Sequence, residues 1–230
     1  NMANKINAKS LAKSAGLPVI PGSEKNIETL DEAKSIAEEI GYPVMIKSTN
    51  GGGGRGIKIV KNQNELKKNL NLAKTEAEQS FGNGDVYIEK YIDNPRHIEI
   101  QIIGDKFGNV VHLGERECSI QRRNQKIIEE CPSPAISENE RKNICKLTLN
   151  AMKKIKYFNL GTVEYLYSKG KYYFIEMNTR LQVEHTVTEQ VYNIDIVKEQ
   201  IQISSGGKIS LKQENLKKNG HSIECRINAE

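Results

Sequence analysis

The chain has 230 residues, of which 37% are hydrophobic and 27% are charged, which allows one hydrophobic core with a smaller unit and excludes wholesale disorder. The formal net charge of +5 suits anionic ligands, but the basic residues form no patch of the kind that binds nucleic acid, so we expect no nucleic-acid partner. No apolar run approaches the roughly 18 residues of a membrane span, and the four cysteines show neither a CxxC pair nor a zinc spacing. We therefore expect no membrane association, reduced cysteines, and a location in the cytoplasm or in an organelle stroma or matrix.

Helix and strand patterns alternate along the chain, without an internal repeat. Helices are predicted over 30–40 and 138–155, each behind a capping box, over 64–81, and after Asp195. Strands are predicted over 44–46, 57–60, 86–89, 98–103, 110–113, 163–167, 172–177 and 223–227. His97, Glu99 and Gln101 share one face of their strand and isoleucines fill the other. Such a strand has one wet or ligand-facing side, which favours an antiparallel α+β fold.

A glycine-rich loop separates the first two predicted strands. Five glycines occupy six positions, and Lys47 ends the incoming strand; the glycines are Gly51, Gly52, Gly53, Gly54 and Gly56. Each glycine costs backbone entropy on folding, but together they let the main chain approach an anion and offer N–H groups to phosphate oxygens. The loop has neither the lysine of a Walker loop nor the following helix of a Rossmann motif. It predicts a phosphate site, and the alternative is a floppy hairpin tip.

Two glutamates lie on a predicted hairpin with its turn at 169–171. An odd-length loop would put Glu164 and Glu176 on one face, and an even-length loop would put them on opposite faces. On one face, the two carboxylates and Asn178 would offer the hard oxygen ligands that Mg²⁺ prefers. The alternative is a pair of edge-strand glutamates pointing to water.

Two polar stretches accompany this hairpin. In 180–185, Arg180 could fork onto a planar carboxylate or bicarbonate, and Glu184 could take a proton. The stretch 117–126 is equally dense in polar residues. Taken alone, the first is a charged loop and the second is a solvated hairpin.

Together, these runs make the chain resemble the biotin carboxylase family of ATP-grasp enzymes. The matching runs are 42–56, 89–91 with 94–97, 118–126, 174–184 and 224–230. The resemblance implies an α+β ATP-grasp fold with an opening helix and linker (1–19), a small glycine-loop lid subdomain (20–91) that closes over ATP, and an antiparallel-sheet core lobe (92–230) that is truncated at its C-terminal end.

The resemblance also assigns residues to ligands. Adenine would be held by Glu89, Lys90 and Ile92, and the metal, Mg²⁺ or Mn²⁺, by Glu164, Glu176 and Asn178. The full set of residues expected to bind ATP is Lys5, Lys47, Gly51, Gly52, Gly53, Gly54, Gly56, Glu89, Lys90, Ile92, His97, Gln121, Asn124 and Leu166. The bicarbonate set is Lys126, Arg180, Gln182, Val183 and Glu184. Glu184 would be the base, and Arg226 would steady the enolate-like biotin.

The implied reaction is the ATP-dependent carboxylation of biotin on a carrier protein. Bicarbonate attacks the γ-phosphate to give carboxyphosphate, whose CO₂ is captured by a ureido nitrogen of biotin. We expect a biotin carboxyl carrier protein and a carboxyltransferase as partners, a homodimer at full length, and a role in acetyl-CoA carboxylation to malonyl-CoA for fatty-acid synthesis. The alternatives are a pyruvate or propionyl-CoA carboxylase, a carbamoyl-phosphate synthetase, or a truncated nucleotide-binding module without activity.

Three features depart from the family pattern. Asn124 stands where the family usually has histidine, and Thr186 replaces the usual proline after Glu184-His185, which predicts a less rigid loop. The chain starts near the first ATP-grasp helix and stops at Glu230. We therefore expect a piece of a longer protein, without the family's N-terminal nucleotide-fold-like domain and C-terminal part.

Overall fold

A computed structural model describes residues 5–49 and 57–228, with side chains for 7–49 and 57–228. The chain divides into two compact units, Asn1–Ser10 with Val19–Asp93 and Leu11–Pro18 with Asn94–Glu230. Helices and antiparallel sheets make it an α+β protein, as predicted. Among the residues described, no helix has both the length and the hydrophobicity needed to cross a bilayer. The predicted division into 1–19, 20–91 and 92–230 stays a prediction.

The first unit is a small sheet packed against two helices. Helix α1 (Lys5–Ala15) begins in this unit, followed by α2 (Leu30–Ile40), strands β1 (Val44–Ser48) and β2 (Lys58–Val60), α3 (Gln63–Phe81) and β3 (Val86–Lys90). The antiparallel sheet has the order β2-β1-β3. Leu66, Leu70, Ala73 and Ala77 form the buried stripe of α3, as the helical period predicts. This core holds β1 and β3, which carry Lys47 and Glu89.

The second unit is built on a six-stranded antiparallel sheet. Its strands are β4 (Arg96–Gly104), β5 (Val110–Arg122), β6 (Gln125–Cys131), β7 (Asn159–Ser168), β8 (Lys171–Asn178) and β9 (Ser222–Cys225), in the order β8-β7-β4-β5-β6-β9. Helices α4 (Glu138–Lys154), α5 (His185–Tyr192) and α6 (Ile196–Ser204) and a short 3₁₀ helix (Gln213–Asn215) complete it. Ser137 caps α4 with the complete capping box predicted from Glu140. Strand β6 and helix α5 had no clear signal in the sequence.

The β7–β8 hairpin puts Glu164 and Glu176 on one face, but its loop length differs from the one that this prediction required. Its loop has two residues, Lys169 and Gly170, because Ser168 pairs with Lys171. A regular two-residue hairpin would pair Glu164 with Ile175. A bulge shifts the register between Glu164 and Tyr165, so that Glu164 lies directly opposite Glu176. The prediction of an odd-length loop is therefore wrong, but the two glutamates do share one face of the hairpin.

The polar face of β4 is not wet. Glu99 is 0% exposed and Gln101 is 2% exposed, while the isoleucines on the other face are also buried. Glu99 is the one acid of this strand, and because it is buried its carboxylate needs cationic partners instead of water. The stretch 117–126 is exposed only near its tip, because Glu117 and Cys118 are buried.

Candidate functional site

A row of charged residues crosses the sheet of the second unit. Backbone pairing puts Arg116 of β5 opposite Glu99 of β4, Glu99 opposite Glu164 of β7, and Glu164 opposite Glu176 of β8. Residues that are directly opposite in antiparallel strands point to the same face. Three carboxylates therefore lie side by side, and their mutual repulsion must be offset by cations.

Lys126 of β6 supplies the central cation. Its Nζ lies 2.5 Å from Glu99 Oε2, 2.9 Å from Glu164 Oε1 and 2.6 Å from Glu184 Oε1. Burial alone would lower the pKa of Lys126, but the charges of Glu99 and Glu164 outweigh it and raise that pKa. Lys126 therefore stays an ammonium ion and holds three acids from three separate segments together.

Glu184 joins this cluster to Arg226. Arg226 Nη2 donates to Glu184 Oε2 at 2.9 Å and lies 2.5 Å from Oε1 of the fully buried Glu129. Arg226 directly follows β9, and its backbone N–H is fixed to Ile127 of β6 at 2.9 Å. The carboxylate of Glu184 thus lies between the ammonium of Lys126 and the guanidinium of Arg226.

Glu164 is surrounded by donors. Asn178 Nδ2 and Gln182 Nε2 both donate to its Oε1, at 2.8 and 3.0 Å, and His97 Nε2 lies 3.1 Å from its Oε2. Burial would raise the pKa of Glu164, but His97 and Lys126 outweigh it and lower the pKa to about 2. Glu164 is therefore a carboxylate at neutral pH, the form that binds a metal ion.

Glu176 lacks such partners. It is half-buried, and its side chain makes no hydrogen bond or ion pair with any residue in the described part of the chain. An acid beside another carboxylate, with no protein cation of its own, suits a divalent cation. Together with the oxygens of Glu164 and Asn178, Glu176 fits the predicted magnesium site.

Two other groups of possible metal ligands lie close together, and both include Glu99. His97, Glu99 and Glu164 form one group, and Glu99, Cys118 and Glu184 form the other. Both oxygens of Glu99 are already occupied, since Oε1 lies 2.5 Å from Arg116 and Oε2 lies 2.5 Å from Lys126. We therefore assign neither group to a metal.

The first unit holds a second acidic group between cations. Glu89 of β3 is paired with Lys47 of β1 and with Lys9 of α1, both at 2.9 Å. Burial would raise the pKa of Glu89, but the two lysines outweigh it and lower that pKa. Lys90 donates to the carbonyls of Gly41 and Tyr42 at 2.9 and 3.0 Å, so its ammonium supports the chain before β1. Ile92, which follows β3, is half-buried.

Other predicted residues lie apart from the cluster. Asn124 is exposed in the two-residue β5–β6 turn, where Arg123 and Asn124 have φ of 54° and 63°, a conformation that asparagine tolerates well. Val183 is 57% exposed, and Arg180 is exposed with its guanidinium on Asn178 Oδ1 at 3.2 Å. Leu166 of β7 lies opposite His97.

Some predicted residues fall outside what the structure describes. These are the glycines at 51–54 and 56 and the side chain of Lys5. Gln121, by contrast, is described, and its Nε2 lies 3.0 Å from His97 Nδ1. Thr186 is one of the residues that depart from the family pattern, and its hydroxyl donates to Glu224 of β9.

Several charged residues of the site were not predicted from the sequence. Arg116, Glu99 and Glu129 are each 0% exposed and contact predicted residues, and Lys9 pairs with Glu89. The alternation over 97–101 was a usable signal for Glu99. Arg116 and Glu129 gave none, because single charged residues in a strand are most often solvated.

Comparisons with known proteins identify the family of this chain. The family described as "Carbamoyl-phosphate synthase L chain, ATP binding domain" matches residues 4–212. The chloroplastic biotin carboxylase 1 of Populus trichocarpa is 53% identical over 230 residues, which are the whole of this chain and 44% of that protein.

Solved structures are equally similar. The biotin carboxylase domain dimer of Hydrogenobacter thermophilus 2-oxoglutarate carboxylase, in complex with MgADP, ADP and bicarbonate, has a TM-score of 0.94 and 53% identity over 100% of this chain and 51% of that one. Biotin carboxylase from Campylobacter jejuni, in a β,γ-ATP complex, has a TM-score of 0.92 and 51% identity over 98% and 50%.

The chain spans about half the length of the curated relatives it matches. The likeness covers all of its own residues, however, and the predicted ATP-grasp fold and biotin carboxylase resemblance are confirmed. The chain belongs to the family of the carbamoyl-phosphate synthase L chain ATP-binding domain, as an ATP-grasp protein similar to biotin carboxylases throughout its length.

Proposed function

We propose that the protein carrying this chain is an ATP-dependent ligase that carboxylates biotin on a carrier protein with bicarbonate. The observation that carries the proposal is the junction of Lys126, Glu184 and Arg226, in which one carboxylate lies between two cations. Such a junction can hold a small anion, accept its proton and offset the charge that develops in the reaction. The bicarbonate in the related Hydrogenobacter thermophilus structure supports this assignment.

Bicarbonate would be bound by Lys126 and Arg180, with Gln182 and Val183 beside it. Glu184 would accept the proton of bicarbonate, so that a bicarbonate oxygen attacks the γ-phosphorus of ATP and ADP leaves. The carboxyphosphate then breaks into CO₂ and inorganic phosphate, the phosphate takes the N–H proton of a ureido nitrogen of biotin, and that nitrogen forms a bond to the carbon of CO₂. Arg226, whose guanidinium is paired with Glu184, would stabilise the oxyanion of the enolate-like biotin.

For ATP, we propose the residues that the family resemblance assigns. We propose Lys47 and the 51–56 loop for the phosphates, Glu89, Lys90 and Ile92 for adenine, and His97 and Gln121 for the ribose. Mg²⁺ or Mn²⁺, held by Glu164, Glu176 and Asn178, would neutralise the phosphate charge. In this proposal, 20–91 is the ATP-grasp lid subdomain and 92–230 is the core lobe.

We propose acetyl-CoA as the final acceptor, with malonyl-CoA as its product. The Populus trichocarpa and Hydrogenobacter thermophilus proteins are each 53% identical to this chain, so identity also supports a 2-oxo acid such as 2-oxoglutarate or pyruvate. Supplying the matching carboxyltransferase with acetyl-CoA, propionyl-CoA, pyruvate or 2-oxoglutarate would separate these acceptors. A carrier protein and, by analogy with the related dimer, a second copy of the chain are the proposed partners.

Biotin-dependent ADP release tests the proposed function. The intact protein is mixed with MgATP and bicarbonate, and ADP is measured with and without free biotin. We expect release to rise on adding biotin and to require bicarbonate. ATP turnover that is indifferent to biotin would show that the proposed function is wrong.

A further inference from the structure

Arg116 is a fully buried arginine at the end of the charged row. It lies in β5, is 0% exposed, and is absent from every residue set assigned above. A buried guanidinium is stable only when its charge and its N–H groups are matched by partners. Its partners therefore reveal what this charge stabilises.

The partners use every donor that the side chain has. A guanidinium carries five N–H groups, one on Nε and two on each terminal nitrogen. The five acceptors come from β4, β7, α5 and the loop before α5. They are Glu99 Oε1 at 2.5 Å from Nε, Gln101 Oε1 at 2.7 Å and Thr188 Oγ1 at 3.0 Å from Nη1, and Thr162 Oγ1 at 3.2 Å and Gln182 Oε1 at 3.4 Å from Nη2.

One of these contacts leads to Lys126. Glu99 accepts from Arg116 with Oε1 and from Lys126 with Oε2, so the carboxylate bridges the two cations. Burial would raise the pKa of Glu99, but Arg116 and then Lys126 outweigh it and lower that pKa. Arg116 thus fixes one oxygen of the carboxylate whose other oxygen holds the ammonium of Lys126.

Another contact leads to Glu164 through Gln182. Because a guanidinium only donates, the oxygen of the Gln182 amide must face Arg116. The NH₂ of the same amide then faces Glu164, and it donates to Oε1 at 3.0 Å. Arg116 therefore fixes which end of Gln182 meets Glu164. The two routes converge on the ion pair between Lys126 and Glu164, at 2.9 Å.

We propose that Arg116 is a positioning residue for carboxylation: it fixes Glu99 and Gln182, and through them the placement of Lys126 beside Glu164 and Glu184. This inference rests on the proposed function. Lysine cannot replace Arg116, because an ammonium has three donors without the planar fork and cannot reach acceptors on four segments.

The test is the Arg116→Lys variant of the intact protein, which keeps the charge and removes the fork. We expect kcat for biotin-dependent ATP cleavage to fall about 10- to 100-fold, the usual effect of losing a group that orients a functional residue. KM for ATP should stay within about twofold, because Arg116 contacts none of the proposed ATP ligands.

Arg141→Lys is the matched control. Arg141 is also a buried arginine paired with an acid, since its Nε donates to Glu115 at 2.6 Å, but its acidic partners are outside the Lys126 cluster. We expect its melting temperature to fall, with kcat within about twofold of wild type. Equal loss of kcat in the two variants, or wild-type kcat in Arg116→Lys, would overturn the proposal.

If the Arg116→Lys variant does not fold, the Thr188→Val variant is tested in its place. It removes one acceptor of the guanidinium with little change in shape, and we expect a fall in kcat of about twofold to tenfold. Wild-type kcat in this variant would also overturn the proposal. A wild-type protein without biotin-dependent ATP cleavage would instead contradict the proposed function, before any variant is compared.

Discussion

Within the row of charged residues, Glu176 differs from its neighbours because no described cation contacts it. We predict that Glu176→Gln raises the Mg²⁺ concentration for half-maximal activity about tenfold or more, because one anionic ligand is lost. Stability should change by less than about 0.5 kcal/mol, because no protein ion pair is broken. Metal titration of biotin-dependent ATP cleavage and thermal unfolding provide the two measurements.

The control for this variant is Glu39→Gln, which changes an exposed glutamate on α2. It should alter neither the metal requirement nor the stability. If Glu176→Gln reduced folding and metal-dependent turnover to a similar degree, the role of Glu176 would be structural.

His112 makes the stability of the second unit sensitive to mild acid. Burial lowers the pKa of His112 to about 4, and its Nδ1 accepts the N–H of Gly114 at 3.2 Å. Below about pH 6.5, His112 is protonated in the unfolded chain, whereas in the folded chain it is protonated only near pH 4. The free energy of unfolding should therefore fall by about 1.4 kcal/mol for each pH unit across that window, or about 2 kcal/mol at pH 5.

His112→Asn tests this prediction, because the Asn oxygen can still accept the Gly114 N–H but does not titrate here. Denaturant unfolding at pH 7 and pH 5 should show a smaller acid loss in the variant than in the wild type. Equal losses would contradict the assignment. Glu164, whose pKa is lowered to about 2, does not interfere, because its contribution is lost only as the pH falls from about 4.5 toward 2.

At the scale of elements, the β7–β8 turn holds a residue in an unfavourable conformation. Lys169 and Gly170 have φ of 50° and 76°, and the first of these positions suits asparagine better than lysine. We predict that Lys169→Asn raises the free energy of unfolding by about 0.5 kcal/mol and leaves turnover unchanged. The neighbouring Lys171→Asn, on the strand, should give no gain, and an equal gain in both variants would contradict the turn argument.

The same hairpin shows which features the sequence could and could not predict. Its strands and its acids were predictable from alternation, but the loop length was not. Phe174 and Met177 are both buried although they are three residues apart, a spacing that a regular strand cannot place on one face. The bulge resolves this conflict and puts Glu176 and Asn178 on the opposite face, with Glu164. A spacing of three between buried residues is therefore a usable signal for a bulge.

At the scale of the whole molecule, the residues predicted for bicarbonate and metal came from runs that resemble a known family, and Lys126, Gln182 and Glu184 do meet in one cluster. What could not be predicted is how their charges are balanced. Arg116 and Glu99 lie on different strands, and only the register of β4 with β5 brings them together. Pairing across a sheet depends on the complete fold, so a single strand cannot reveal it.

Nucleotide binding should stabilise the protein that carries this chain. ATP binds the folded state in our proposal, so at about 100 times its Kd it should add about 2.7 kcal/mol to the free energy of unfolding. Differential scanning fluorimetry with MgATP would show a raised melting temperature. If MgATP and a nucleotide-free buffer of equal ionic strength gave the same melting temperature, nucleotide binding by the folded state would be contradicted.

In the proposed reaction bicarbonate is activated by attacking ATP itself, and the fate of the bicarbonate oxygen tests this step. When bicarbonate attacks the γ-phosphorus and the resulting carboxyphosphate loses CO₂, the bridging oxygen stays on phosphate. With [¹⁸O]bicarbonate, ATP and biotin, mass spectrometry should therefore find one ¹⁸O in each inorganic phosphate released. Phosphate without ¹⁸O would mean that water attacks ATP, and it would contradict the formation of carboxyphosphate.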